Sequence, residues 1–541
     1  MPRFFNTAGP CRADLHFMLS ATDRLGNLLP LVEQESYFVI HAPRQTGKTT
    51  AIRALAAELT ATGRFAALAS TCEEGAPFGN DPATAAATIV YRLWQDAALQ
   101  LPETLRPPVP GGALAGPVGP ADGSVLSGFL NAWCAACPLP VVLFLDEIDA
   151  LRDDALVSVL RQLRAGYPNR PHAFPHSLAL VGLRDVRDYK VASGGSGRLG
   201  TASPFNIKVE SLTLRNFTAD EVARLYRQHT QHTGQPFDDD ALARAYDLTR
   251  GQPWLVNALA REVTEKLVTD RSVAVTAADI DTAKERLILS RATHLDSLTD
   301  KLREERVRRV IEPILAGTEG DPRLPADDLD YCVDLGLVVR ERNQPMAIAN
   351  PIYREVIPRE LTSVASDFMP LPNRHWHLPD GRLDLEGLLE AFVAFWTEHG
   401  EHMARHQPYA EAAPQLVMMA FFQRVVNGGG QIEREYAVGS GRIDLLIRWP
   451  LKTAAGMATS GLDAAEDRHA IELKVWREGK PDPLAKGLQQ VDAYLARLGL
   501  PTGLLVLFDR RQAADAVLWE ERPRWLQAVT PGGRTVRVLR L

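Results

Sequence analysis

The stretch "HAPRQTGKTT" (His41–Thr50) follows the apolar run "YFVI" directly and leads into "AIRALAAEL". A buried strand, a tight polar turn and a helix are thereby set end to end. In such a turn successive backbone N–H groups point at one place, and the helix N-terminus adds positive partial charge. That place suits phosphate. Lys48 reaches toward β- and γ-phosphates, and Thr49 offers its hydroxyl to Mg²⁺. The pattern GxxxxGK[ST] has Gly where Ala42 stands here, a change that a negative φ tolerates. Ala42, Pro43, Arg44, Gln45, Thr46, Gly47, Lys48, Thr49 and Thr50 are the expected nucleotide-binding residues, with ATP and Mg²⁺ as cofactors.

A second acidic element belongs with this turn. "VVLFLDEIDAL" is an apolar strand ending in Asp146 and Glu147. By itself the pair reads as a helix cap after a core strand. Following a phosphate turn, it reads as a cation and water site: Asp146 holds the Mg²⁺ shell and Glu147 polarises the attacking water. Arg184, after "LALVGL", is a candidate nucleotide-sensing residue, with a surface ion pair as the plain alternative.

Around these motifs the first 205 or so residues alternate short apolar runs with helical patterns, which predicts an α/β domain with a parallel sheet. The expected strands are Tyr37–His41, Phe65–Ser70, Val141–Glu147 and Leu178–Leu183. Two Gly/Pro/Ser-rich segments, 107–123 and 192–204, read as exposed loops. Residues 211–290 read as helices, with Thr218 and Glu221 forming a capping box. Between 300 and 360 a helical stretch precedes a short strand, a turn at 343–345, a second strand and a helix, a pattern that suits a winged helix. A Pro-rich segment at 369–381 reads as a linker, after which α/β character returns. The expected domains are therefore a P-loop ATPase core (1–210), a helical lid (211–295), a winged-helix-like domain (296–365), a linker (366–384) and a C-terminal α/β domain (385–541).

Composition narrows the class. The chain has 541 residues, 45% hydrophobic and 23% charged, with a formal net charge of −7. That is ordinary globular composition without a global nucleic-acid signature, so any nucleic-acid surface is local. No run is long and apolar enough to span a bilayer, and the N-terminus lacks an apolar signal core; no membrane partner and a cytoplasmic location are expected. Five cysteines are present. Cys134 and Cys137 form one CxxC without a second Cys/His pair at zinc spacing, so they read as reduced structural thiols.

"LTLRNFTADEVARL" and "TRGQPWLVNALAREV" resemble the lid and Gly-x-Pro segments of AAA-like and STAND-type P-loop ATPases, over residues 15–360. Gly251 and Pro253 match that motif, and Arg250 stands just before it. The resemblance implies a nucleotide-controlled switch that often assembles into homo-oligomers.

In the C-terminal domain the strand "AIELKVW" carries Glu472 and Lys474 inside an apolar context, where unpaired charge is costly. Residues two apart share a strand face, so these two side chains project together while Leu473 points into the core. Upstream, Asp444 interrupts the strand of "GRIDLLIRW". If the two strands pair, two carboxylates and a lysine converge into a set suited to Mg²⁺ or Mn²⁺. On the helix that follows, Gln490 and Tyr494 lie four apart on one face. A lone Glu-x-Lys would be a solvent-face ion pair; this ordered set is more. Asp, Glu-x-Lys and Gln-x-x-x-Tyr resemble the PD-(D/E)XK nuclease superfamily, over residues 385–515. The resemblance implies a restriction-endonuclease-like fold, Asp444, Glu472 and Lys474 as catalytic residues, Asp444 and Glu472 as metal ligands, and Gln490 in support of the site. Glu411 is the candidate further acidic ligand, with Gln415 one turn later. Residues 452–468 read as a loop over the site, and Arg434, Arg442 and Lys480 as possible phosphate contacts.

The expected function is an ATP-regulated, metal-dependent nuclease acting on nucleic acid, DNA first, with defence against foreign DNA as a setting by analogy. The alternatives are an ATP-binding, DNA-binding switch that does not cleave, and a remodelling motor with a C-terminal oligomerisation module.

Overall fold

A computed structural model describes residues 3–20, 22–26, 28–110, 122–184, 205, 207–290, 295, 298, 300–315, 324–341, 346–368, 376–400, 412–426, 431–438, 441–451, 466–511 and 521–541. The chain divides into two compact units, residues 1–294 with 329–342 and residues 295–328 with 343–541. Among the described residues no helix is long and apolar enough to cross a membrane.

In the first unit, strands β1 (Tyr37–His41), β2 (Ala66–Thr71), β3 (Val141–Asp146), β4 (Ser177–Gly182) and β5 (Lys208–Thr213) form one sheet in the order β2-β3-β4-β1-β5. Every pairing is parallel. β3 and β4 are buried throughout, as strands covered by helices on both faces must be. One face packs Tyr37, Val39, Leu143 and Leu180 against helices that carry Leu93, Phe129, Trp133 and Val159. The other packs Phe38, Ile40, Phe144 and Val181 against Ile52, Leu55 and Leu59 of the helix Lys48–Ala61. Each such side chain contributes about 1.5–3 kcal/mol on full burial, so the strand carrying the phosphate turn is anchored from both faces. This five-stranded parallel sheet with its helices fits a P-loop NTPase fold.

The four foreseen strands are present within one residue at each end. β5 is the exception, since helices were expected from residue 211. As the edge strand beside β1 it is only partly buried, which leaves its sequence without a core run. The helices that follow are Ala219–Thr233, Asp239–Thr249, Pro253–Glu262 and Ala277–Leu289. Thr218 and Glu221 make the foreseen capping box: the hydroxyl accepts from the Glu221 N–H and the carboxylate from the Thr218 N–H.

Along the chain, helices Glu305–Leu315 and Ala326–Asp334, the two-residue strands β6 (Val338–Val339) and β7 (Ala347–Ile348), and helix Pro351–Phe368 follow one another. That succession is the expected one, and the last helix runs three residues past the expected boundary. The foreseen turn at 343–345 lies outside the described residues.

The second unit is built on six strands: β8 (Gln431–Val438), β9 (Gly441–Pro450), β10 (Glu466–Trp476), β11 (Leu504–Asp509), β12 (Arg524–Val529) and β13 (Thr535–Arg540). Their order is β12-β13-β11-β10-β9-β8. β10 runs antiparallel to β9 and parallel to β11, and the helix Leu484–Leu498 makes the crossover between the parallel pair. Alternation sorts the core: Leu445, Ile447, Ile471 and Leu473 join the cluster under Phe392, Val417 and Phe421. Leu446, Ala470 and Leu505 join Val491, Tyr494 and Leu495 of the crossover helix. β10 begins at Glu466, so residues 466–468 of the foreseen loop are strand; 452–465 lie outside the described residues.

Candidate functional site

The phosphate turn is shaped by two left-handed residues, Gln45 (φ 57°) and Gly47 (φ 88°). Gly47 caps the helix at the point where a Cβ would be strained. Ala42 is buried and absent from the positive-φ residues, which is why alanine can replace the glycine of the pattern. Thr46, fully buried, donates its hydroxyl to the Pro43 carbonyl at 2.8 Å and fixes the turn. Lys48 Nζ donates to the carbonyls of Ala42 (2.7 Å) and Pro43 (2.9 Å), holding its ammonium within the loop. Burial lowers its pKa, against the opposing pull of Asp146, Asp149 and Glu147.

β4 lies between β1 and β3, yet the helix after the turn reaches the end of β3: Thr49 Oγ1 donates to Asp146 Oδ2 at 2.6 Å. Two hard oxygen donors stand together there, a set that fits Mg²⁺. Burial pushes the Asp146 carboxyl up, with Thr49 opposing. Glu147, held left-handed at φ 53°, is pushed up to about 7, first by burial and then by its hydrogen bond to Glu73. A cavity of about 950 Å³ opens above these residues and is flanked by the cations Arg44, Arg53 and Arg152. The helix Pro253–Glu262 contributes Pro253, Trp254 and Asn257 to its wall. The N-terminal segment closes another side, tied in place where Trp254 Nε1 donates to the Thr7 carbonyl at 2.9 Å and the Cys11 N–H to Thr50 Oγ1 at 3.0 Å.

Three arginines are placed differently from a simple motif reading. Arg184 is 3% exposed; its Nε donates to Asp334 at 3.0 Å and its guanidinium lies 5.0 Å over the Tyr331 ring. It is thus drawn to residues 329–342, whose Gly336 lies against Pro43 of the turn. Arg250 pairs with Asp247 at 2.6 Å and is not among the cavity-lining residues. Arg24, missed in the sequence, donates from its buried guanidinium to the Thr46 carbonyl and stacks 4.7 Å from the Phe217 ring. Burial lowers its pKa to about 10. No motif marks Arg24, because it acts on the turn from behind.

In the second unit Ile471 pairs with Leu445, so the next position sets Glu472 opposite Asp444. Period two puts Asp444, Glu472 and Lys474 on the face covered by the crossover helix. Glu472 is 1% exposed; one carboxylate oxygen accepts from Lys474 Nζ, and the other, Oε2, is buried without a hydrogen-bond partner. Asp444 Oδ2 accepts from the Leu473 N–H at 2.8 Å and stands 3.8 Å from Lys474 Nζ. Gln490 Oε1 is a second buried acceptor without a partner, one turn before the buried Tyr494. Burial, then the Asp444 charge, pushes Glu472 up to about 8. Burial alone would lower Lys474, but Asp444 and Glu472 outweigh it and raise it.

An acceptor-only oxygen buried without a donor is costly, and a hard cation satisfies it. The oxygen donors fit such an ion; among the described residues, however, no cluster of three or more His, Cys, Asp or Glu is assembled. Glu411 lies outside the described residues, as do the side chains of Arg434 and Arg442. Gln415 is buried with its Oε1 unpartnered. Lys480 is exposed, its carbonyl accepting from the Trp476 indole at 3.0 Å.

No family model and no curated protein matches the chain. Among solved structures it is similar to a Walker-type ATPase of Pyrococcus abyssi, at 13% identity and a TM-score of 0.47, covering 65% of this chain and 99% of that one. The RuvB Holliday junction branch migration motor of Thermotoga maritima is similar at 15% identity and a TM-score of 0.33, covering 62% and 93%. Cdc6p from Pyrobaculum aerophilum is similar at 13% identity and a TM-score of 0.33, covering 65% and 98%.

Proposed function

We propose that the chain is an ATP-regulated, metal-dependent nuclease that hydrolyses phosphodiester bonds in nucleic acid, DNA foremost. The observation that carries this reading is the buried, unsatisfied Oε2 of Glu472, beside Lys474 and opposite Asp444. In the first unit Lys48 leaves its loop carbonyls for the β- and γ-phosphates, while Arg44, Arg53 and Arg152 draw the polyphosphate in. Thr49 and Asp146 hold Mg²⁺, and Glu147 accepts a proton from the attacking water.

In the second unit Asp444 and Glu472 hold Mg²⁺ or Mn²⁺, with Gln490 in support. The ion supplies charge stabilisation at a phosphoryl oxygen. Lys474 orients the water that attacks phosphorus as the P–O bond to the leaving oxygen breaks.

The test is cleavage of plasmid, linear and single-stranded DNA and of RNA with Mg²⁺ or Mn²⁺, with and without ATP. Cleavage by the wild type that is lost in Glu472→Ala supports the reading, and Lys48→Ala then tells whether ATP triggers or restrains it. Intact ATP turnover without cleavage of any substrate moves the reading to a nucleic-acid-binding switch.

A further inference from the structure

Among the described residues β12 is the outer strand of the six-stranded sheet. Its sequence from 525 to 529, "WLQAV", holds no charge and no proline. Natural edge strands are normally guarded by those devices. Trp525, Leu526 and Val529 are 36, 44 and 66% exposed.

The direction of the backbone groups on this edge follows from the hairpin to β13. Thr530 N–H donates to the Arg534 carbonyl at 2.9 Å, and Val529 stands opposite Thr535. Antiparallel ladders alternate, so Arg524, Leu526, Ala528 and Thr530 direct their N–H and C=O groups to β13. Trp525, Gln527 and Val529 direct theirs outward.

An added antiparallel strand must place outward-directed residues opposite its own. For two copies related by a two-fold axis, this allows centres at 526, 527 or 528. A centre at 526 sets Trp525 against Gln527 and Arg524 against Ala528. A centre at 528 sets Trp525 against Pro531 and Leu526 against Thr530. A centre at 527 sets Trp525 against Val529 and Leu526 against Ala528, so every exposed apolar side chain of the strand meets an apolar partner. It also pairs all three outward residues, giving about six main-chain hydrogen bonds.

We propose that β12 pairs with β12 of a second copy of this chain, antiparallel and centred on Gln527, joining two six-stranded sheets into one. The contact is isologous, so it closes at a dimer rather than propagating. It is small, which puts the dimer in the range of tens of micromolar chain.

Sedimentation of the full chain at about 50 μM tests this. Gln527→Pro removes the outward N–H at the centre while leaving the ladder to β13 intact. Its mass should be half that of the wild type. If Gln527→Pro loses its near-ultraviolet circular dichroism, Val529→Lys, at an exposed position, decides in its place. Under mild oxidation Gln527→Cys should link two chains to a greater extent than the wild type, whose own free cysteines include the partly exposed Cys11 and Cys137. A monomeric wild type, a mass that the deciding substitution leaves unchanged, or a Gln527→Cys chain that links no more than the wild type overturns the proposal.

Discussion

The two candidate centres handle charge in opposite ways. The phosphate turn keeps Lys48 on backbone carbonyls at the floor of an open cavity of about 950 Å³, where a ligand replaces those bonds group for group. The C-terminal centre buries Glu472 to 1% exposure inside a sheet and leaves one oxygen unanswered. The first site is preorganised by a turn. The second is preorganised by strand register, and its buried carboxyl is neutralised by a proton or by a cation.

Glu472→Ala should sharpen that contrast most. Under the proposed function it lowers cleavage by about 10³-fold or more and leaves ATP turnover at the wild-type rate. Lys48→Ala should do the reverse to the other centre, lowering ATP turnover by on the order of 10²-fold, as a steady-state ATPase assay would show. A loss of ATP turnover in Glu472→Ala would break the separation, whereas a loss of cleavage in Lys48→Ala would show ATP to be the trigger.

Acid–base behaviour gives a third test. Glu472 titrates at about 8 in the folded chain against an ordinary 4.5. Between those values the folded state holds a proton that the unfolded state has lost, so stability must fall as pH rises through that window. The melting temperature of the metal-free chain should drop from pH 5 to pH 8 more in the wild type than in Glu472→Gln.

Smaller effects belong to the helices after β5. Gly251 sits at φ +72°, and a Cβ there would meet the Phe217 carbonyl oxygen at 1.9 Å. Gly251→Ala should cost about 3 kcal/mol, read by denaturant unfolding of the first unit. Thr218→Ala removes one side of the capping box and should cost about 1 kcal/mol.

Contiguity decided what was legible in the sequence. The turn from Ala42 to Thr50 and the Asp146–Glu147 pair are local words, and four of five strands in that sheet are buried apolar runs. Asp444, Glu472 and Lys474 were legible only because period-two alternation and an assumed pairing put them on one face, and the register of β9 with β10 does so. β5 was missed because an edge strand carries no core run. Arg24 and the Asp334 partner of Arg184 were missed because a distant side chain that braces a loop leaves no spacing to read.

Mn²⁺ titration of the full chain, followed by electron paramagnetic resonance, tests the central claim most directly. The account predicts a nucleotide-independent site that disappears in Glu472→Gln and persists in Asp146→Asn, beside an ATP-dependent site with the opposite pattern. Nucleotide-independent binding that is absent from the wild type, or unchanged in Glu472→Gln, would contradict it.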